Sequence, residues 1–208
     1  IDDHTEKNNL RKDINDTVKG LLINSLGGTP SEIEHLERLD CSANEEFFLW
    51  HTWFKDVFDK GGFDIVIGNP PYGVSIKDGY RKAVVDIHGN VPDYEIYYYF
   101  IECANKILCK AGILSYIIPN TWLFNTYALK YRTQILGSWN LIEVLDCTKF
   151  PIFKSATVRN TIITWTNKRA SQNTIGYRNT SKALNFTDLL NEPKQFIEIS
   201  DLMQLNQN

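Results

Sequence analysis

The chain has 208 residues, of which 43% are hydrophobic, 12% aromatic and 23% charged. That is enough apolar material for one core of ordinary size; it excludes whole-chain disorder, and no apolar run approaches the roughly 20 residues that span a bilayer. Lys and Arg number 22 against 25 Asp and Glu, a formal charge of −3 that taken alone argues against a self-sufficient nucleic-acid binder.

The charge divides along the chain. Residues 1 to 60 hold 7 bases and 13 acids, and residues 61 to 208 hold 15 and 12. Within the second part, Lys149, Lys154, Arg159, Lys168, Arg169, Arg178 and Lys182 form a run with no Asp or Glu between Asp146 and Asp188. Such a run is either a solvated surface or a face beside an anionic partner such as a nucleic-acid backbone. Cys41, Cys103, Cys109 and Cys147 are scattered, as are the four His. With no CxxC pair and no metal-ligand spacing, they point to the cytosol and to no metal site. The sequence opens on Ile1 with no initiator Met and no signal-like segment, and is expected to be a piece of a longer protein.

In chain order, Leu10, Ile14, Val18 and Leu22 recur every four residues, with Leu21 and Leu26 widening the stripe, so a helix is expected up to Gly27-Gly28. Ser31 and Glu34 predict a capping box for a second helix carrying Ile33, Leu36 and Leu39. Residues 1–46 thus read as a helical arm or spacer. The aromatic stretch 47–58, FFLWHTWFKDVF, is expected in the core. Phe63 to Ile67 is an apolar run suited to a strand buried on both faces, ending in Gly68-Asn69-Pro70-Pro71-Tyr72-Gly73. A polar loop follows over 74–92.

Ile96, Phe100, Ala104, Ile107 and Leu108 predict a helix over 95–110, closed by Lys110-Ala111-Gly112. Ile113 to Ile118 predicts a second strand closed by Pro119-Asn120. Another helix is expected over 121–136, a third strand over Leu141–Leu145 and a fourth over Val158–Trp165. The last two strands lack a helical link and are expected to pair antiparallel. This order defines an α/β fold with a mostly parallel sheet. Residues 169–208 are polar and read as a linker toward a further module.

Ligands of open α/β sheets sit at the carboxyl ends of strands, where Asn-Pro-Pro-Tyr falls. Its residue types suit a grip on a planar amino group. Asn69 offers a side-chain carbonyl acceptor and Pro70 a backbone one, while the prolines hold φ near −65°. Two acceptors on one NH2 aim the nitrogen lone pair at an electrophile. Tyr72 supplies an aromatic face for the ring. No general base is needed, because the proton can leave after methyl transfer.

FDIVIGNPPYG resembles motif IV of the amino-methyltransferases. Trp50, Phe54, Val57 and Phe58 ahead of GGFD resemble the lead-in of type IIG restriction–modification enzymes and related DNA adenine methylases. EIYYYFIECANKIL with GILSYIIPNTWL resembles the next motifs, and FPIFKSATVRNTIITW the one whose aromatic residue stacks on a flipped base. The resemblance covers about residues 47–168. It implies a partial Rossmann-like methyltransferase fold preceded by the helical arm, with 47–168 as the C-terminal half of the catalytic domain. The implied activity is transfer of a methyl group from S-adenosylmethionine to adenine N6 of DNA, in the cytoplasm of a bacterium or archaeon. The implied catalytic residues are Asn69, Pro70, Pro71 and Tyr72. Tyr72 and Phe153, or Phe150 in its stead, would stack on the base. Asn69, Pro71 and Phe100 would touch the cofactor.

The chain also departs from the family pattern. No Phe-x-Gly-x-Gly turn precedes Asp64, where the only glycines are Gly20, Gly27, Gly28, Gly61 and Gly62. No acidic ribose-binding residue is identifiable, and Glu95 stands where Asp is frequent. The isolated chain is therefore expected to be inactive, with DNA reached through the full-length protein. Two other readings remain: a glutamine-amide or RNA methyltransferase using the same grip, and a non-catalytic interaction module that self-associates through exposed sheet edges.

Overall fold

A computed structural model describes residues 3–26, 29–43, 48–74, 76, 81, 91–153, 157–168 and 174–204. The Gly27-Gly28 stop, Phe47, most of the 74–92 loop, and Lys154 and Arg169 of the basic run lie outside the described residues. The chain divides into two units, residues 1–55 and 56–208.

In the first unit, helix α1 spans Asp3–Leu26 and α2 spans Pro30–Arg38. The capping box stands two residues earlier than expected. Thr29 is the N-cap: its backbone N–H donates to the Glu32 carboxylate at 2.8 Å, and its hydroxyl accepts from the Glu32 N–H. The shift follows from Pro30, which has no N–H to offer and a φ suited to the first helical position. Glu34 pairs instead with Arg38 one turn on. The segment after α2 folds back onto α1, where Asn15 Oδ1 accepts from the Cys41 N–H at 2.8 Å and the Lys19 ammonium donates to the Glu37 carbonyl at 2.6 Å. The α1 stripe is only partly covered: Val18 is buried, while Leu10 and Leu21 are exposed. The aromatic stretch differs from expectation too. The short helix α3 (Trp50–Trp53) buries no residue, nor does the turn α4 (Lys55–Phe58), most of which belongs to the second unit. Phe48, Trp50 and Phe54 pack on one another, with ring centroids 4.8 to 6.1 Å apart, and Phe48, Trp53 and Phe54 remain exposed.

The second unit is built on a six-stranded sheet in the order β1-β2-β4-β3-β5-β6. The strands are β1 (Phe63–Gly68), β2 (Leu108–Pro119), β3 (Asn140–Cys147), β4 (Asn160–Thr166), β5 (Thr174–Asn179) and β6 (Gln195–Glu198). β1 runs parallel to β2, and β3 to β5. β4 lies antiparallel between β2 and β3, and β6 antiparallel to β5. Four strands thus share one direction while β4 and β6 are reversed: the sheet is mixed, with the parallel first pair and the antiparallel β3–β4 pairing that were expected, and further antiparallel pairings of β4 with β2 and of β6 with β5. The stretch 169–208, expected as a linker, carries β5 and β6 of the same sheet, together with helices α7 (Phe186–Asn191) and α8 (Ile199–Gln204). Ile175 is buried and Ile197 partly buried against the core, and they stand opposite each other. With Tyr177, which also packs against the core, they seat these otherwise mostly polar strands.

Helices α5 (Tyr97–Ile107) and α6 (Leu129–Ser138) cover one face of the sheet. Tyr97, Tyr98, Ile101 and Ala104 of α5 and Tyr131, Ile135 and Leu136 of α6 share a core with Leu114, Tyr116 and Ile118 of β2 and Ile163 and Trp165 of β4. The alternation in β2 and β4 follows from the period of two along a strand. β1 departs from the expected double burial. Val66 packs against this core, but Ile65 and Ile67 on the other face are 61% and 76% exposed. β1 is an edge strand of the described sheet, and α5 and α6 lie on the opposite face.

Two element boundaries also move. α5 ends at Ile107, and Leu108 is already extended. Phe63 pairs with Leu108 but Ile65 with Ile113, so Lys110-Ala111-Gly112 forms a bulge, with Ala111 at φ 66°, in place of a helix end. Gly62, at φ 116°, sits against this bulge, and a Cβ there would fall 2.6 Å from the Ile107 carbonyl oxygen. The segment 121–136 is not one helix. Two 3-10 turns, Asn120–Leu123 and Thr126–Ala128, precede α6, and Asn125 caps the second by accepting from the Tyr127 N–H.

Candidate active site at the carboxyl end of the sheet

The register brings Gly68, Pro119, Cys147 and Asn179 to one end of the sheet. Because β4 is reversed, its first residue, Asn160, arrives at that same end, opposite both Pro119 and Cys147. The Asn-Pro-Pro-Tyr turn leaves β1 there. Asn69 and Pro71 are exposed, Pro70 is buried, and Tyr72 is half-buried with its ring packed against the main core. Gly68 ends the strand beside the Tyr116 ring, 3.2 Å from where a Cβ would stand.

The turn is tied at two points from distant parts of the chain. Asn160 Nδ2 donates to the Tyr72 hydroxyl oxygen at 3.3 Å, and the Gly73 N–H donates to Glu95 Oε2 at 2.9 Å. Gly73 takes φ 71°, a left-handed conformation that glycine adopts freely. Asn160 is only 3% exposed. Glu95, noted in the sequence only as a departure from Asp, is thus an anchor of the loop. Asn160 was missed because it reads as one polar residue at the head of an apolar strand.

A second polar network braces the neighbouring loop. The Tyr177 hydroxyl donates to Asp146 Oδ2 at 2.6 Å, the Thr148 N–H and hydroxyl donate to Asp146 Oδ1, and Asn120 Nδ2 donates to the Thr148 hydroxyl at 2.9 Å. Burial and the neighbouring Asp146 carboxylate push the Tyr177 phenol up. Behind the 3-10 turns, fully buried Arg132 donates to the carbonyls of Trp122 at 2.7 Å and Asn125 at 3.2 Å. Burial lowers its pKa from the ordinary arginine value.

The other expected residues fall as follows. Phe153 is half-buried in the loop between β3 and β4 at this same sheet end. Phe150, its alternative, is buried with Cys147 and Leu189 and meets the Phe186 ring edge-on at 5.4 Å, so it is a packing residue. Phe100 lies on α5 with its ring exposed, whereas the helix buries Tyr97, Tyr98, Ile101 and Ala104. The Phe100 carbonyl accepts from the hydroxyl of Tyr116, the residue paired with Gly68, which brings this part of α5 beside the exit from β1. The basic run is divided. Exposed Lys149 and Arg159 flank the site end, and exposed Lys168 follows β4 at the opposite end. Arg178 is held by Glu143 at 2.8 Å and by the carbonyls of Leu190 and Glu192. Among the described residues, no His/Cys/Asp/Glu group has a metal-holding arrangement and no helix is long and apolar enough to cross a membrane.

The Asn-Pro-Pro-Tyr turn thus stands at the carboxyl end of β1, where open α/β sheets hold their ligands. The family model for the Eco57I restriction-modification methylase matches residues 3–153, and the chain belongs to that family. It is 32% identical over 91 residues to the type II methyltransferase M.TthHB8I of Thermus thermophilus, covering 38% of this chain and 19% of that protein. It is 27% identical over 140 residues to the type II methyltransferase M.PaeR7I of Pseudomonas aeruginosa, covering 62% and 24%. The chain therefore spans about a fifth to a quarter of the length of these relatives. Its fold is similar to that of the type IIG restriction endonuclease BpuSI, with TM-score 0.52 and 14% identity, covering 71% of this chain and 20% of that one. It is also similar to DrdV, solved in complex with DNA, with TM-score 0.53 and 12% identity, covering 69% and 18%.

Proposed function

We propose that this chain carries the target-base half of a DNA methyltransferase active site, acting on adenine N6 in a restriction–modification protein. The observation that carries the reading is the Asn69-Pro70-Pro71-Tyr72 turn, leaving the end of β1 with Asn69 exposed and Tyr72 anchored. Asn69 Oδ1 and the Pro70 carbonyl would accept the two hydrogens of the adenine amino group. That holds the nitrogen in one plane and directs its lone pair out of the turn. Tyr72 would stack on one face of the extruded base and Phe153 on the other. Holding the acceptor nitrogen in line supplies most of the rate. The surplus proton leaves to water after transfer.

S-adenosylmethionine would supply the electrophilic methyl group. The residues of this chain that would hold it are Phe100, whose exposed ring suits the adenine, and the exposed Asn69 and Pro71, of which Pro71 would meet the methionine end. Exposed Lys149 and Arg159 would face DNA phosphates.

The test is Asn69→Ala in the full-length protein that carries this chain. Incorporation of tritiated methyl groups into unmethylated plasmid DNA should vanish while DNA is still retained in a gel shift. Loss of both together would assign Asn69 a folding role and sink the proposal. Incorporation into protein or RNA in place of DNA would redirect it to another amino group.

A further inference from the structure

We infer that Asn160 is a positioning residue for Tyr72, acting through the tyrosine hydroxyl; the inference rests on the proposed role of Tyr72 as a base-stacking residue. A stacking platform works only if its ring is held still, and a tyrosine ring has two free torsions. Tyr72 follows two prolines, which restrict the backbone before it, and its ring leans on the core. Neither constraint fixes the far end of the ring. The hydrogen bond from Asn160 Nδ2 at 3.3 Å does so, at the atom most distant from the backbone.

The location of Asn160 makes it a rigid anchor. It is the first residue of β4, paired on one side with Pro119 and on the other with Cys147, so its backbone is held by the ladders of two neighbouring strands. Its side chain is 3% exposed at the head of the strand, on the face that alternation gives to Ile162 and Thr164. A buried carboxamide is costly unless it is bonded, and an aliphatic residue would suit this position on packing grounds. Its presence within hydrogen-bonding reach of the Tyr72 hydroxyl argues for a task beyond packing. The Glu95 carboxylate complements it by holding the Gly73 N–H, so Tyr72 is held at its hydroxyl and at the backbone that follows it.

The experiment is a double-mutant cycle in the full-length protein, using Tyr72→Phe, Asn160→Leu and the pair. Tyr72→Phe keeps the stacking ring and removes only the anchored hydroxyl. Methyl transfer from tritiated S-adenosylmethionine to unmethylated plasmid DNA gives kcat and KM, and urea unfolding is followed on the same proteins. Each single change should lower kcat about fivefold to tenfold with KM for DNA altered less than about twofold. The double variant should be no slower than the slower single. Wild-type kcat in Asn160→Leu, or a double-variant loss equal to the product of the two singles, overturns the inference. An unmodified protein that transfers no methyl to DNA sinks the functional proposal instead. The Asn160–Tyr72 link is then judged by unfolding alone: non-additive shifts of the urea midpoint support it and additive shifts overturn it.

Discussion

Alkaline titration tests the tyrosine-lined core beneath the site. Tyr97, Tyr98, Tyr116 and Tyr131 are each at most 7% exposed, and burial is the main cause that pushes all four phenols up, Tyr116 to about 12. Their folded-state pKa values are raised, so the stability they contribute is complete below the unfolded value near 10 and declines as pH rises past it. At about pH 11 each ionisable unfolded tyrosine favours the unfolded state by about 1.4 kcal/mol, or about 6 kcal/mol for the four. At about pH 12 the total approaches about 10 kcal/mol. Domain stabilities are about 5–15 kcal/mol, so unfolding is expected between about pH 11 and 12. The assay is near-ultraviolet tyrosinate absorbance recorded together with far-ultraviolet circular dichroism. The four phenols should ionise in one cooperative step that coincides with loss of secondary structure. A rise in tyrosinate centred near pH 10 that accounts for all ten tyrosines, with secondary structure intact, would refute the burial argument.

Gly62→Ala should destabilise the chain by about 3 kcal/mol or more in urea unfolding, because the left-handed backbone and the backbone overlap with Ile107 add. Cys147 should resist iodoacetamide in the folded protein at mildly alkaline pH, since burial pushes its thiol up to about 12, and should react on unfolding. The stability linked to that thiol is full below the ordinary value near 9 and is lost between there and about 12. Phe150→Ala should cost about 3 kcal/mol of stability, whereas Phe153→Ala should leave the urea midpoint nearly unchanged and lower methyl transfer by the full-length protein.

The residues most legible in the sequence were those with a single strong preference. The apolar runs of β2 and β4 and the turn after β1 announce themselves, because few other structures suit them. β5 and β6 were hidden: Thr174, Gly176, Arg178 and Gln195 dilute an apolar pattern reduced to Ile175, Tyr177 and Ile197. The exposure of Ile65 and Ile67 was illegible for the opposite reason, since composition reports that a residue prefers burial and not what lies over it. At the site, Asn69 to Tyr72 were readable as one contiguous motif. Asn160 and Glu95 were not, because their meaning lies in contacts 88 and 22 residues away along the chain.

The position of β4 bears on how the protein is made. β1, β2 and β3 all leave the ribosome before it, yet β3 has no hydrogen-bonded route to β2 except through β4. The nascent chain must therefore hold the β1–β2 pair and the single strand β3 apart until residues 160–166 emerge between them, since β5, the other partner of β3, comes later still; this is a long-range pairing of the kind that slows folding. The residue that leads this wedge is Asn160. The anchor on Tyr72 therefore forms only when the middle of the sheet closes, and a chain stalled before that point holds the turn after β1 without its hydrogen bond from Asn160.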